Sequence, residues 1–265
     1  MVNKNLSVAA VELAGRRSEG RTGPLLPETL RPGNFEQAFA LQQAVGKLFA
    51  GETAEAVAGW KCALPVAEKT VIGAIYRSTV QSQRDATAAS VCFLHPDRDG
   101  LARVEPELAF ELSKNLPPRE TPYTQAEIDA AVGKTRLALE LIQSRYDDPA
   151  QASFFDALAD GLVNQGLWLG PEVIDTVAAD LSCFDLHLTS EKGLADVIAG
   201  RHPNTNPRAG LYWLVNFLSE QGIGLRQGQQ IITGSYAGLL KLPMAEQITI
   251  RCGDFGRYVI EFEAS

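Results

Sequence analysis

Two glutamates on one face of a predicted strand are the first candidates for chemistry in this sequence. The segment 104–112 alternates apolar and polar residues, so Glu105 and Glu107 point to one face and their apolar neighbours to the other. Residues two apart in a strand lie about 6.7 Å from each other, and glutamate side chains are long enough to converge on one ion across that spacing. Oxygen ligands without a cysteine–histidine cluster favour Mg²⁺ or Mn²⁺ over Zn²⁺.

A third glutamate, Glu140, stands alone among aliphatic residues in the segment 137–142. A strand this apolar is expected to be buried, and a buried carboxylate must be paired, protonated or bound to a metal. Two simpler interpretations stay open at this point. The first pair of glutamates fits the solvated face of an antiparallel strand, and Glu140 fits a salt bridge to Arg136 or Arg145.

Lys61 lies between Trp60 and a run of small apolar residues that begins with Cys62. This environment predicts a desolvated ammonium, which is typical of a lysine that transfers a proton or holds an anion. The alternative is a side chain that extends along Trp60 into solvent. Cys62 itself has no histidine in a recognisable relation to it, which favours a buried structural thiol over a nucleophile.

The elements that must position these residues are predicted from capping and periodicity. Asn34 caps a helix over 34–49, Thr124 begins a capping box and a helix that ends at Gly133, and a third helix runs from Pro207 to Gly222. A helix start is also predicted at the N-terminus. The predicted strands are 102–112, 136–143, 230–235, 246–252 and 257–263, and a hairpin loop over 253–256 joins the last two. Strands that do not alternate strictly with helices favour an α+β fold.

The bulk composition is that of a globular chain. It has 265 residues, of which 45% are hydrophobic, and a formal net charge of −8, which disfavours nucleic acid and anionic membranes as partners. No run approaches the roughly 20 apolar residues of a membrane span. Four scattered cysteines without a C-x-x-C pair predict a reducing, cytoplasmic setting. One compact unit is expected, with a helical N-terminal region over 1–80 and a catalytic region over 81–265.

With these residues in place, the sequence resembles the 2-keto-4-pentenoate hydratase / 4-oxalocrotonate decarboxylase family of the fumarylacetoacetase superfamily. The resemblance extends over nearly the whole chain and rests on the order and spacing of several segments. They are Gly59-Trp60-Lys61, Val104-Glu105-Pro106-Glu107-Leu108-Ala109-Phe110, Ala138-Leu139-Glu140 with Ser144-Arg145, Ala159-Asp160, His202-Pro203 with Trp213-Leu214, and Thr233-Gly234-Ser235.

The resemblance implies a mixed, mainly β roll with a helical N-terminal region, and a homo-oligomer. It implies Mg²⁺ or Mn²⁺ on Glu105, Glu107 and Glu140, and a catalytic Lys61. A small 2-oxo acid would chelate the ion, which stabilises the enolate as a Lewis acid. The implied reaction is hydration of a 2-hydroxy-2,4-dienoate to a 4-hydroxy-2-oxo acid. The Thr233–Ser235 turn resembles the stretch that closes over the substrate, which makes Ser235 a candidate contact.

Departures from the family pattern leave the substrate open. Arg77 and Ser78 stand where hydratases usually carry an aspartate, so an anionic substrate end facing Arg77 is predicted. Arg145 is a candidate carboxylate binder, with an ion pair to Asp147 or Glu140 as the alternative. Asp160 is a candidate substrate contact or a turn cap. Three other functions remain: decarboxylation of a 2-oxo-enedioate, C–C hydrolysis of an acylpyruvate, and a non-catalytic partner subunit. The hydrolase needs a His–Glu pair, which the contexts of the three histidines do not match.

Overall fold

The computed structural model describes residues 2–67, 69–83, 88–174 and 180–265. The helices are α1 Val2–Glu19, α2 Phe35–Ala50, α3 Gln125–Asp129, α4 Phe154–Ala159 and α5 Ala209–Glu220. The strands are β1 Val57–Cys62, β2 Ile72–Tyr76, β3 Val80–Ser82, β4 Ser90–Leu94, β5 Ala102–Leu112, β6 Val132–Ile142, β7 Asn164–Glu172, β8 Cys183–Ser190, β9 Ala195–Arg201, β10 Gln230–Ile232, β11 Leu240–Leu242, β12 Gln247–Cys252 and β13 Gly256–Ala264.

The larger sheet curls until its two ends meet. Its strand order is β2-β1-β10-β5-β6-β7-β3, and β11 also pairs with β5. The strands at the two ends, β2 and β3, follow each other in the chain and are separated only by the 3₁₀ turn Arg77–Thr79. So short a connection forces the sheet into a roll. The smaller sheet has the order β4-β13-β12-β8-β9, and β12 and β13 form the predicted hairpin.

The two faces of β5 belong to different cores, as the alternation of its residues requires. Val104, Leu108, Phe110 and Leu112 point outward into the main hydrophobic core, together with residues of the helices and of the smaller sheet. The opposite face lies inside the roll, where a second apolar cluster joins side chains from β2, β5, β6, β7 and β10. Its buried members are Ile75, Ala109, Ala138, Leu167, Leu169 and Ile232. Because β2 and β7 stand far apart in the strand order, their packing in one cluster follows from the curl.

Most local predictions are confirmed, including the helix at the N-terminus. The side chain of Asn34 accepts a hydrogen bond from the Gln37 amide, and Thr124 and Glu127 form a complete capping box. The prediction that the Thr124 helix continues to Gly133 is wrong, because it ends at Asp129 and Gly133 is the second residue of β6. A Cβ on Gly133 would lie 2.7 Å from Cβ of Ser113, so the glycine permits close packing rather than ending a helix.

Two further expectations are refined by the fold. Pro106 lacks a backbone N–H and is therefore expected at a sheet edge or a bulge, but β5 is an interior strand with β6 on one side and both β10 and β11 on the other. Pro106 lies between the β5 residues that pair with β10 and those that pair with β11. Its missing N–H therefore interrupts the hydrogen bonds to neither strand. The region before residue 80 contains α1 and α2, and it also supplies β1 and β2 to the large sheet. None of the described helices combines the length and apolar character of a membrane span.

Candidate metal centre

The three predicted glutamates meet on the inner face of the roll. Glu105 on β5 stands directly opposite Glu140 on β6, and Glu107 stands opposite Ala138. One carboxylate oxygen from each glutamate lies within 4.8 Å of the others. Glu140 is fully buried and Glu107 is 5% exposed, so the interpretation of Glu105 and Glu107 as a wet strand face is wrong for Glu107. The curl of the sheet turns this face inward, which the strand's own alternation does not reveal.

In both buried glutamates, protein donors hold one carboxylate oxygen. Oε2 of Glu107 accepts a hydrogen bond of 2.7 Å from the Gly234 amide. Oε1 of Glu140 lies 2.6 Å from Nζ of Lys61 and accepts a 2.9 Å hydrogen bond from Nδ2 of Asn164. The other oxygen of Glu140, Oε2, is buried without a hydrogen-bond partner among the described residues. An unpartnered buried carboxylate oxygen is costly, and coordination to a cation removes that cost.

Lys61 joins the cluster from β1. Its side chain is 12% exposed and points to Glu140 rather than along Trp60 to solvent, so the alternative interpretation is wrong. Nζ also donates to the carbonyl of Leu162 at 3.1 Å. Gly73, which pairs with Lys61 across β1 and β2, allows this path, because a Cβ there would lie 2.9 Å from Cγ of Lys61. The salt bridge of Glu140 is therefore made with Lys61 and not with Arg136 or Arg145.

Burial and the charge of Glu140 raise the pKa values of Glu105 and Glu107. Burial, followed by the charge of Glu140, raises the pKa of Glu107 well above its usual 4.5, although the Gly234 amide opposes the shift. The same two causes raise the pKa of Glu105, against the charge of Lys61. Burial lowers the pKa of Lys61, but the charge and the hydrogen bond of Glu140 outweigh it, and the net shift is upward. Lys61 is therefore an ammonium at neutral pH.

A strained turn faces this cluster, and sequence analysis did not single out its final residue. Gly161, Leu162 and Val163 have φ values of 77°, 53° and 62°, a region that L side chains rarely occupy and that is most unusual for β-branched valine. Asn164 follows and is fully buried. The signal available in the sequence was an amide two residues before the apolar segment Gly166–Leu169, at the start of a strand where a buried polar group needs a partner.

Arg145 and Asp160 form a structural pair outside the cluster. The side chains are 0% and 1% exposed, and Nε of Arg145 lies 2.9 and 2.8 Å from the two carboxylate oxygens of Asp160. Nη2 of Arg145 also donates to the main-chain carbonyl of Asp160. Arg17 from α1 donates to the same carbonyl at 2.7 Å. Arg145 is thus paired with neither Asp147 nor Glu140, the two partners predicted for it.

Arg77 is not brought to the carboxylates. It follows β2, four residues beyond Gly73, a separation of about 13 Å along an extended chain. Its side chain is exposed and Nε donates to the Glu55 carbonyl at 2.8 Å. Ser235 does lie near the cluster, next to Gly234, and its hydroxyl contacts the carbonyls of Pro106 and Gly238 at 3.3 and 3.0 Å.

Neither a histidine nor a reactive cysteine accompanies the carboxylates in the described residues. His202 is buried between the Asn204 backbone and the Thr233 hydroxyl, which is a structural role. His187 lies on β8 of the other sheet, and His95 contacts Gln165 through its backbone. Burial raises the pKa of the Cys62 thiol far above its usual value, as expected of a structural thiol.

The residues present fit a hard divalent cation. Three carboxylates supply oxygen ligands, and Oε2 of Glu140 is buried with no hydrogen-bond partner in the part of the chain that the structure describes. The ammonium of Lys61 offsets part of the negative charge of the three carboxylates. The site that a dication would enter is therefore less anionic than three carboxylates alone. The donor set contains no sulfur or imidazole, which disfavours Zn²⁺.

Comparison with known proteins finds hydratases that are similar in sequence to this chain. The chain is 24% identical over 251 residues to 2-keto-4-pentenoate hydratase of Burkholderia vietnamiensis, and the match covers 92% of each chain. It is 28% identical over 171 residues to 2-oxo-hept-4-ene-1,7-dioate hydratase of Escherichia coli, where the match covers 63% of each chain. The chain is a homologue of the 2-keto-4-pentenoate hydratases. No family model matches the sequence.

Solved structures confirm the predicted fold. The structure of 4-oxalocrotonate decarboxylase from Pseudomonas putida G7, complexed with magnesium and adipate, matches with a TM-score of 0.77 at 16% identity, covering 99% of both chains. A fumarylacetoacetate hydrolase family protein of yeast matches with a TM-score of 0.51, covering 77% of this chain. The α+β roll and the resemblance to the hydratase/decarboxylase family, both predicted from the sequence, are thereby confirmed.

Proposed function

We propose that the protein is a Mg²⁺- or Mn²⁺-dependent lyase that hydrates a small 2-hydroxy-2,4-dienoate to a 4-hydroxy-2-oxo acid. The observation that carries the proposal is the convergence of Glu105, Glu107 and Glu140 with Lys61 inside the roll. Homology to hydratases over 92% of the chain supports the reaction class. The assignment of a homo-oligomer rests on the family resemblance and that of a cytoplasmic setting on the cysteine pattern, and both are part of the proposal.

Each residue of the cluster has a role that follows from its environment. The three glutamates would hold the ion, which when bound supplies a Lewis acid for the 2-oxo group of the substrate. Lys61 keeps its proton in the metal-free protein, because Glu140 raises the pKa of the ammonium. Lys61 is therefore suited to stabilise the negative charge of an enolate and to donate a proton, and not to abstract one. Ala109 and Ala138 beside the carboxylates form an apolar wall that excludes water and strengthens these interactions.

The test is turnover of 2-hydroxypenta-2,4-dienoate by the purified protein with added Mg²⁺ or Mn²⁺. We expect loss of the dienoate ultraviolet absorbance, formation of a 4-hydroxy-2-oxo acid and loss of activity on chelation of the metal. The variant Glu107→Gln is expected to bind the metal about 100-fold more weakly or worse and to lose turnover. A protein that binds neither metal, or that binds metal but transforms no 2-oxo-alkenoate, contradicts the proposal, and the second result identifies a non-catalytic subunit.

Decarboxylation of a 2-oxo-enedioate is the second candidate. The position at which hydratases carry an aspartate is occupied here by Arg77 and Ser78, and Arg77 lies at the far end of β2 from Lys61. Decarboxylation needs an electron sink for the released pair but no water and no acid at the distal carbon. Release of CO₂ from 4-oxalocrotonate, with no hydration of the pentadienoate, would favour this candidate over the first.

A further inference from the structure

The turn Gly161–Asn164 reaches both partners of the Lys61–Glu140 ion pair. The Leu162 carbonyl accepts from Nζ of Lys61 at 3.1 Å. Nδ2 of Asn164 donates to Oε1 of Glu140 at 2.9 Å, the same oxygen that Lys61 contacts at 2.6 Å. Lysine and carboxylate are therefore each fixed by a second group from one short segment of chain.

The turn is itself held in place by other elements. Nη1 of Arg17 donates to the main-chain carbonyl of Asn164 at 2.9 Å, and the Gln143 amide donates to the carbonyl of Val163 at 2.8 Å. Nδ2 of Asn164 also donates to the Gly166 carbonyl at 3.2 Å, which fixes the orientation of the amide. Three successive residues with positive φ persist only where the surroundings determine the backbone this closely, and such strain is concentrated at functional sites.

The two carboxylate oxygens of Glu140 therefore have different environments. Oε1 has two donors, whereas Oε2 is buried with no partner in the described part of the chain. A carboxylate fixed in this way presents one defined oxygen to a ligand, and partners of this kind commonly orient the groups that bind a metal.

We propose that Asn164 is a positioning residue for the metal centre, which orients Glu140 so that Oε2 is the oxygen offered to the ion. This inference rests on the proposed function, since it requires that Glu140 binds the metal. It predicts that removal of the Asn164 donor weakens metal binding without removing any ligand.

The experiment measures the dissociation constant of Mn²⁺ by calorimetry for the wild type, Asn164→Leu and Asn164→Ala, with circular dichroism to verify folding. Both variants remove the donor without adding a charge, and the smaller alanine is the alternative if the leucine variant does not fold. We expect the dissociation constant to rise 10- to 100-fold. In the Glu140→Gln background the same replacements should change it less than twofold, because no carboxylate remains to be oriented.

Gln165→Leu is the matched control. Gln165 is the neighbouring amide, and its side chain bonds His95 and Ile142 but not the carboxylates, so its loss should leave Mn²⁺ affinity unchanged. A wild type that does not bind Mn²⁺ overturns the proposed function and this inference together. A wild type that binds Mn²⁺ while both Asn164 variants bind within twofold of it overturns the inference alone. Equal weakening by Gln165→Leu also overturns it, since the effect would then reflect general loss of stability.

Discussion

The ammonium of Lys61 lies 2.6 Å from Oε1 of Glu140. The Lys61 side chain is 12% exposed and the Glu140 side chain is fully buried. The two residues lie on β1 and β6, which are not neighbours in the sheet. The pair is therefore made across the interior of the roll and depends on its curl. It offsets charge within a group of three carboxylates that would otherwise repel one another.

Removal of Lys61 is expected to destabilise the metal-free protein strongly. In Lys61→Met, Glu140 is left as an uncompensated buried charge, which costs about 3–5 kcal/mol of unfolding free energy. Saturating Mn²⁺ should restore part of this loss, because the ion replaces the missing positive charge. Urea denaturation with and without Mn²⁺ measures both effects.

A control for this experiment is Lys134→Met. Lys134 pairs with Glu172 at 3.5 Å, but both side chains are well exposed, so the change should stay within about 0.5 kcal/mol. The double variant Lys61→Met/Glu140→Gln should recover much of the stability lost in Lys61→Met. A double variant no more stable than the single one would show that the pair is not the cause.

Glu107→Gln is expected to change metal affinity and metal-free stability in opposite directions. Loss of a ligand should weaken Mn²⁺ binding on the order of 100-fold or more, about 2.7 kcal/mol. The pKa of Glu107 is raised in the folded protein, so its charged form destabilises that state at neutral pH, and the uncharged glutamine should raise the melting temperature of the metal-free protein. Calorimetry measures the Mn²⁺ affinity, and thermal denaturation measures the metal-free melting temperature, of the wild type and of Glu107→Gln.

The stability difference between the wild type and Glu107→Gln depends on pH, because the pKa of Glu107 is raised in the folded protein. A carboxyl with a raised folded pKa binds more protons in the native state, so stability is fully present below its ordinary value of 4.5 and is lost as pH rises through the folded pKa. The stability advantage of Glu107→Gln should therefore be largest at neutral pH and shrink as pH falls towards 4.5. Over the same range the wild type should bind Mn²⁺ progressively more weakly, because protons compete for Glu105 and Glu107. A constant advantage across this range would argue against the raised pKa.

Replacement of Val163 by asparagine is expected to stabilise the protein. Val163 has a φ of 62°, and this left-handed conformation costs an L residue about 1–2 kcal/mol, less for asparagine. We expect Val163→Asn to raise the unfolding free energy by about 1 kcal/mol and to leave Mn²⁺ affinity unchanged. Val163→Thr keeps the branched Cβ and should give no gain, and an equal gain from threonine would remove the conformational explanation.

Arg145 and Arg77 are expected to behave differently on substitution. Arg145→Met removes the closer of the two guanidinium partners of buried Asp160 and leaves only Arg17, whose Nη2 lies 3.8 Å from Oδ1, so we expect a loss of up to about 3–5 kcal/mol of unfolding free energy. Arg77→Ala removes an exposed side chain and should stay within about 0.5 kcal/mol. Denaturation curves of the two variants and the wild type measure both changes in unfolding free energy. A large rise in KM for an anionic substrate in Arg77→Ala, with stability unchanged, would instead support the substrate contact predicted from the sequence.

Sequence reasoning succeeded where the relevant interaction is local. The Asn34 cap, the Thr124 capping box and the alternation along β5 involve residues a few positions apart, so their chemistry can be read from the order of side chains. The three glutamates were identified from alternation, from an apolar neighbourhood and from family resemblance. Those signals did not reveal that the carboxylate face is the inside of a roll.

The ion-pair predictions that are wrong concern residues whose true partners are more distant in the chain. Arg145 pairs with Asp160 and Glu140 with Lys61, whereas the sequence favours nearer residues of opposite charge. Sequence proximity is a poor guide to buried ion pairs, because the fold determines which charges share an interior. Asn164 was overlooked for the same reason, since its partner lies on another strand.

The pairing of β1 with β10 has a consequence for how the protein is made. Glu105 and Glu140 lie on adjacent strands of the same region and can associate early, but β1 is bordered by β10, which contains residues 230–232. The roughly 90 residues from Glu140 to that strand take about 5–20 s to synthesise on a ribosome. We therefore expect the acidic groups of the nascent chain to meet before β10 can border β1, and a divalent cation from the surrounding solution would be a suitable counter-ion for them during that interval.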